Sequence, residues 1–218
     1  TFTAHEFSTM REPVHKSKNP ITGNLMKVAD MLREHPQRQA FARYVFEPEH
    51  ESGLDQERGV FNYWPGIPVQ PKHHAEHEAT YVRFMQRMCG PHFDYVVDWF
   101  AHIVQRPWEK TTIALLCMSP VNGAGKSLLG ELHGAVLGGD LSKLYASVPL
   151  SKVCSDKFNG EIANRLLVQS DEADEFFSGA EARLKDVISS PTVRIEKKNR
   201  DAEILKNLMR LFITTNSL

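Results

Sequence analysis

The segment Thr112 to Met118 reads TIALLCM and runs without a break into Ser119-Pro120-Val121-Asn122-Gly123-Ala124-Gly125-Lys126-Ser127, after which Leu128 to Val136 takes a helical pattern. A continuous apolar run of this kind is expected of a strand buried on both faces, as in a parallel sheet. A loop of small residues between such a strand and a helix lets backbone N–H groups wrap an anion, and the helix adds the positive end of its dipole. The phosphate-loop pattern is G-x-x-x-x-G-K-[ST]. Gly125, Lys126 and Ser127 match it, Gly123 matches a shorter G-x-G-K-[ST] form, and Pro120 stands where the leading glycine is expected. Pro120 removes one donor and fixes one φ angle, but at the loop entry and not in the cradle. The expected phosphate-binding residues are therefore Gly123, Ala124, Gly125, Lys126, Ser127 and Leu128. In such a loop the lysine, Lys126, meets the β- and γ-phosphates of a nucleoside triphosphate, and the hydroxyl of Ser127 ligates Mg²⁺.

The rest of the second half alternates apolar runs with helical patterns, which predicts an α/β fold with a mainly parallel sheet. Ligands on such sheets bind outside the carboxyl ends of the strands. Arg165 to Glu172 reads RLLVQSDE, a buried strand ending in two acids. Two adjacent carboxylates at a strand tip are costly without a cation. Asp171 is the expected Mg²⁺ ligand, and Glu172 the group that polarises the attacking water. Asp174 and Glu175 continue the run and read as a solvated helix start. A third strand, Leu211 to Thr215, ends in Asn216, an amide able to orient water or contact a γ-phosphate. Thr192 to Arg200, TVRIEKKNR, reads as a strand entering a turn, with Asn199 suited to positive φ and Lys197, Lys198 and Arg200 clustered at the tip. Such a tip can hold single-strand phosphates without reading sequence, or be an ordinary solvated turn.

The first half is richer in His, Pro and aromatic residues. Leu25 to Arg33 is expected to be helical, Phe41 to Phe46 a short strand, and Val60 to Val69 strands joined by a tight turn. Ala75 to Met88 and Phe93 to Val104 read as two helices. The composition shift near Arg106 to Lys110 predicts a division into residues 1–110 and a P-loop core over 111–218. Trp64, Trp99 and Trp108 are expected to pack in the core. His73 and His77, four residues apart, lack a second ligand pair and read as an exposed helix start.

Composition limits the possible functions. Over 218 residues, 41% are hydrophobic and 24% charged, an ordinary globular balance. No apolar stretch reaches the roughly 18–20 residues a membrane span needs. With net charge −1, nucleic-acid binding must come from a local basic patch. Cys89, Cys117 and Cys154 are odd in number and form no CxxC pair, so they read as small apolar fillers in a reducing cytoplasmic setting.

Together, in order and spacing, these motifs resemble the superfamily 3 helicases and their AAA+-like relatives. The closest resemblance is to the helicase domain of phage- and plasmid-type primase-helicases and primase-polymerases. FEPEHESG followed by GVFNYWPGIPVQP is similar to a β segment that precedes their core. VVDWFAHIVQRPWEK is similar to the helix before their first core strand, FNGEIANRLLVQSDEAD to their Walker B segment, and VRIEKKNRDAE to their basic motif. The resemblance spans roughly residues 40–218. It implies a ring-forming, ATP-driven translocase, a hexamer in the family, that unwinds forked DNA or grips single-stranded DNA. Lys126 and Ser127 would be Walker A, Asp171 and Glu172 Walker B, Asn216 sensor 1, and Lys197, Lys198 and Arg200 the basic hairpin. ATP and Mg²⁺ are the implied cofactors. The chain reads as a piece of a longer protein that ends just past the sensor, before an arginine finger. Two rival readings are a P-loop NTPase that remodels proteins, and a non-catalytic module for assembly or DNA docking.

Overall fold

In the computed structural model, the described residues are the backbone of 16–18 and 25–27, then residues 40–139, 143–155, 157–171, 177–199 and 201–216. The chain forms two compact units, one of residues Thr1–Tyr44 with Leu54–Phe61, the other of Val45–Gly53 with Asn62–Leu218. In the first, strand β1 (Lys16–Lys18) pairs antiparallel with β2 (Leu25–Lys27). The helix expected from Leu25 to Arg33 is therefore a strand over residues 25–27, where backbone pairing overrides helical spacing, and residues 28–33 lie outside the described residues. Phe41, Tyr44 and Phe61 form an aromatic cluster, with Phe41 and Tyr44 edge to face at 4.7 Å.

Strands β3 (Arg43–Val45), β4 (Gly53–Asp55) and β5 (Val60–Asn62) form a small sheet of order β3-β5-β4. No strand follows over 63–69; Pro65 and Pro68 lack the N–H groups a ladder needs. Asn62, at the end of β5, is 1% exposed. Its amide donates to the carbonyls of Glu47, His50 and Glu51, and its oxygen accepts from the N–H groups of Glu47 and Trp64. One buried side chain thus satisfies a loop with no sheet partners of its own.

The larger unit is built on a parallel sheet. Its strands are β6 (Leu115–Met118), β7 (Tyr145–Ser147), β8 (Leu167–Ser170) and β11 (Arg210–Thr215), in the order β6-β11-β8-β7. The α/β class with a parallel sheet agrees with the expectation from sequence. Side chains alternate between two apolar layers. Phe212 and Leu167 face a cluster with Met85, Trp99, Phe100, Ile103 and Leu129. Leu211, Ile213 and Val168 face one with Leu150, Val153, Val187 and Ile195. Each such side chain contributes about 1.5–3 kcal/mol by leaving water. The first layer comes from helices α1 (Ala75–Cys89), α2 (Phe93–Gln105) and α3 (Lys126–Val136). The second comes from the single turn α4 (Leu150–Val153), α5 (Phe177–Ser189), and a hairpin of β9 (Thr192–Ile195) with β10 (Glu203–Lys206).

His133 ties α1 and α2 to α3. The Leu129 carbonyl, 2.7 Å away, can only accept, so Nδ1 carries the proton and Nε2 accepts from the Tyr81 hydroxyl at 3.1 Å. The ring stacks on Phe100 at 3.6 Å, and burial pushes its pKa down to about 4, which keeps it neutral.

Two further expectations need correction. The run Thr112 to Met118 is not buried on both faces: the strand is Leu115–Met118, and Leu116 and Met118 are 45% and 51% exposed. Among the described residues β6 lies at the sheet's edge with one open face. Trp108 is 39% exposed, because it follows the end of α2 in a turn, whereas Trp64 and Trp99 are buried as expected. At the start of α1 the histidines act as caps: His74 accepts from the His77 N–H, and His73 pairs with Glu78. Among the described residues no cluster of His, Cys, Asp or Glu could hold a metal, and no helix is long and apolar enough to cross a membrane. All three cysteines are free and half-buried.

Candidate functional site

Strand register brings the informative residues together. β11 lies between β6 and β8, with Thr215 level with Met118 and Ile213 level with Ser170. The next residues along β11 and β8, Thr214 and Asp171, are then neighbours, and the Thr214 hydroxyl donates to Asp171 Oδ1 at 2.9 Å. At the same edge the loop after β6 turns into α3. Gly123 and Gly125 have φ of 72° and 92°, left-handed values that side chains with a Cβ rarely adopt. Gly125 caps α3, and helix geometry begins at Lys126.

Asn122, Gly123, Ala124, Gly125, Lys126, Ser127 and Leu128 line one cavity of about 250 Å³ with Thr214, Thr215 and Asn216. All six residues expected to bind phosphate are thus in one wall, and the expected sensor is in the facing wall. The volume is just below the roughly 300–1,000 Å³ of a site for a whole drug-sized ligand, a size suited to a phosphate chain. Lys126 is only 8% exposed. Its ammonium donates to the carbonyls of Ser119 at 2.9 Å and Val121 at 3.3 Å, and to Asn216 Oδ1 at 2.8 Å. Lys126 and Asn216, ninety residues apart in sequence, are therefore in direct contact.

Asp171 sits at the carboxyl end of β8. Gln169 Nε2 donates to both of its oxygens, at 3.0 and 2.9 Å, and Thr214 to one. These donors are all neutral. Glu172, expected to act on the attacking water, lies outside the described residues, as do Asp174, Glu175 and Arg200.

The expected basic turn is a true hairpin, β9 to β10, with Asn199 at φ 59° as anticipated. Lys198 is exposed. Lys197 is half-buried, its side chain lying so close to Gly160 that a Cβ there would meet it at 2.9 Å. Asn159, 1% exposed, fixes this arrangement: its amide donates to Ser155 and Arg194 carbonyls and its oxygen accepts from the Glu196 N–H. Beside it Phe158 is 54% exposed at φ 52°. Lys197 and Lys198 are not part of the cavity wall formed by the loop.

Three site residues were not singled out from the sequence. Gln169 and Thr214 lie inside apolar runs and read as strand filler. Asn159 reads as a loop residue. For Gln169 alone a signal existed: a long polar side chain in the middle of a buried strand requires partners.

A family model described as "Family of unknown function (DUF5906)" matches residues 118–218. No curated protein matches the sequence. Among solved structures, the apo C-terminal region of NrS-1 (305–718) is similar with TM-score 0.66 and 23% identity over 80% of this chain and 42% of that one. An A-form apo structure of the NrS-1 C-terminal region gives TM-score 0.63 and 22% identity over 79% and 41%. This chain spans about two-fifths of those structures, and at such identities the likeness is one of fold.

Proposed function

We propose that residues 111–218 are the nucleotide-binding core of an ATP-dependent DNA helicase or translocase in a replication protein. One observation carries this reading: the glycine-rich loop with Lys126, the Asp171 carboxylate and the Asn216 amide meet at the carboxyl edge of one parallel sheet. The fold shared with the NrS-1 C-terminal region supports the architecture on which it rests.

The residues present suit Mg²⁺-ATP. Loop N–H groups and the N-terminus of α3 face the phosphates. The ammonium of Lys126, which holds two carbonyls and Asn216, would be the group to hold the β- and γ-phosphate oxygens. Ser127 and Asp171 would hold Mg²⁺, which would supply neutralisation of charge on the transferring phosphoryl group. Asn216, freed of the ammonium, would orient water or the γ-phosphate. Lys126→Ala should lower Mg²⁺-ATP affinity by at least about tenfold, since the buried ammonium of the cavity is removed. Equal calorimetric affinity in the two chains would refute the phosphate-loop assignment.

Strand engagement is assigned to the hairpin. With a net charge of −1 there is no diffuse field to hold DNA, so a local patch must do it. Lys198 and Lys197 supply the charge, and exposed Phe158 on the adjoining loop offers an aromatic face. Because the Lys197 stem packs on Gly160, Lys197→Met with Lys198→Ala removes charge and keeps the packing. That double variant should weaken single-stranded DNA binding for all sequences alike. It should also flatten the slope of log affinity against log salt by about 0.7 for each phosphate that is no longer neutralised. Nucleotide affinity should not change. An unaltered salt slope would favour a protein-remodelling NTPase instead.

A further inference from the structure

Helix α3 carries glycines at 130 and 134, four residues apart on one face. Each costs about 1 kcal/mol relative to alanine in a helix interior, so an offsetting gain is required. The space they leave is filled by two polar side chains from the sheet. A Cβ at Gly130 would lie 2.1 Å from Gln169 Oε1, and one at Gly134 would lie 2.7 Å from the Tyr145 ring. Tyr145 in turn donates its hydroxyl to Gln169 Oε1 at 2.8 Å. Gln169 is fully buried, and its Nε2 donates to both oxygens of Asp171 and to the Ser127 carbonyl at 3.3 Å.

The orientation of that amide is determined by chemistry. The Asp171 carboxylate and the Ser127 carbonyl only accept, so the NH₂ end must face them. Oε1 then faces β7, where the Tyr145 hydroxyl holds it. A single amide therefore links the two residues that supply oxygens to the cation, Ser127 through its backbone and Asp171 through its side chain.

We infer that Tyr145 and Gln169 form a positioning relay, admitted by Gly130 and Gly134, that sets the spacing of Ser127 and Asp171 for a divalent cation. This inference rests on the nucleotide-binding reading and goes beyond it. Neither residue touches the nucleotide. Tyr145 restrains Gln169, Gln169 restrains Asp171 and Ser127, and the effect on ligand binding is confined to the metal. Outer partners of this kind typically change metal affinity by about 10–100-fold when removed.

The test is an equilibrium one. A fluorescent ATP analogue is titrated with Mg²⁺ at fixed protein concentration, and its affinity is measured separately in EDTA. Gln169→Leu, of similar volume but without donors, should raise the Mg²⁺ midpoint about tenfold. Affinity for metal-free nucleotide should be unchanged. Tyr145→Phe should shift the midpoint in the same direction by less, since its ring still fills the space at Gly134. A Gln169→Leu midpoint within about twofold of the unaltered chain would overturn the relay, as would equal losses of affinity with and without Mg²⁺. If Gln169→Leu does not fold, Tyr145→Phe decides: an unshifted midpoint there overturns the relay. If the unaltered chain takes up no analogue in either condition, the nucleotide reading itself fails, a result distinct from a failed relay.

Discussion

Arg210→Ala should cost about 3–5 kcal/mol of folding stability, the scale for opening a cavity in the core and leaving buried acceptors without their donor. Arg210 is 1% exposed at the start of β11. Its guanidinium donates to the carbonyls of Pro107 at 3.3 Å, Leu208 at 2.9 Å, Arg106 at 2.7 Å and Glu109, and contacts His102 Nδ1. Burial lowers its pKa to about 10, and burial likewise lowers that of Lys110, whose ammonium holds the Met209 carbonyl, to about 8. Alanine would leave four carbonyls, those of Pro107 and Leu208 buried, without this donor and open a cavity between the end of α2 and the sheet. Arg210→Lys should recover less than half of the loss, because one ammonium cannot fan across four acceptors. Denaturant midpoints at constant slope measure both. A loss under about 1 kcal/mol for the alanine variant would mean that water replaces the guanidinium at little cost.

Glu172→Gln should leave nucleotide binding nearly intact and lower ATP turnover by a factor on the order of 10²–10⁴, the scale for losing general-base assistance. The argument comes from its neighbour. Both oxygens of Asp171 accept hydrogen bonds from Gln169, and one accepts a further bond from Thr214. With both oxygens engaged by fixed donors, this carboxylate is placed as a fixed ligand and not as a group that turns to meet a moving water. On the proposed reading the base is the next acid along the chain. Turnover is measured under the conditions, including single-stranded DNA, in which the unaltered protein is active. Near-normal turnover in the Gln variant would move the base to Asp174.

The strand–loop–helix unit was legible because each part has its own local signal: an apolar run, small residues, then helical spacing. The tips at Asp171 and Asn216 were legible because polar residues end apolar runs there. Asn199 was legible because its positive φ is a local property of the turn. What was not legible depends on register. That Thr214 would meet Asp171, and that Gln169 would face Gly130, follows only once β11 is inserted between β6 and β8. The exposure of Leu116 and Met118 has the same origin, because an apolar run looks alike at the edge and in the middle of a sheet. The strand at 25–27 was missed because a three-residue pairing leaves too short a pattern to compete with helical spacing.

On the nucleotide-binding reading, the hydrogen bond between Lys126 and Asn216 would make the loop a competitor of its own ligand. Three hydrogen bonds from an ammonium, each of the order of 1.5–3 kcal/mol when charge-assisted, must be exchanged before a phosphate can take the lysine. Affinity for a phosphate would thereby be set lower than the cradle alone would give. In the same exchange Asn216 Oδ1, just past the end of β11, would give up the lysine.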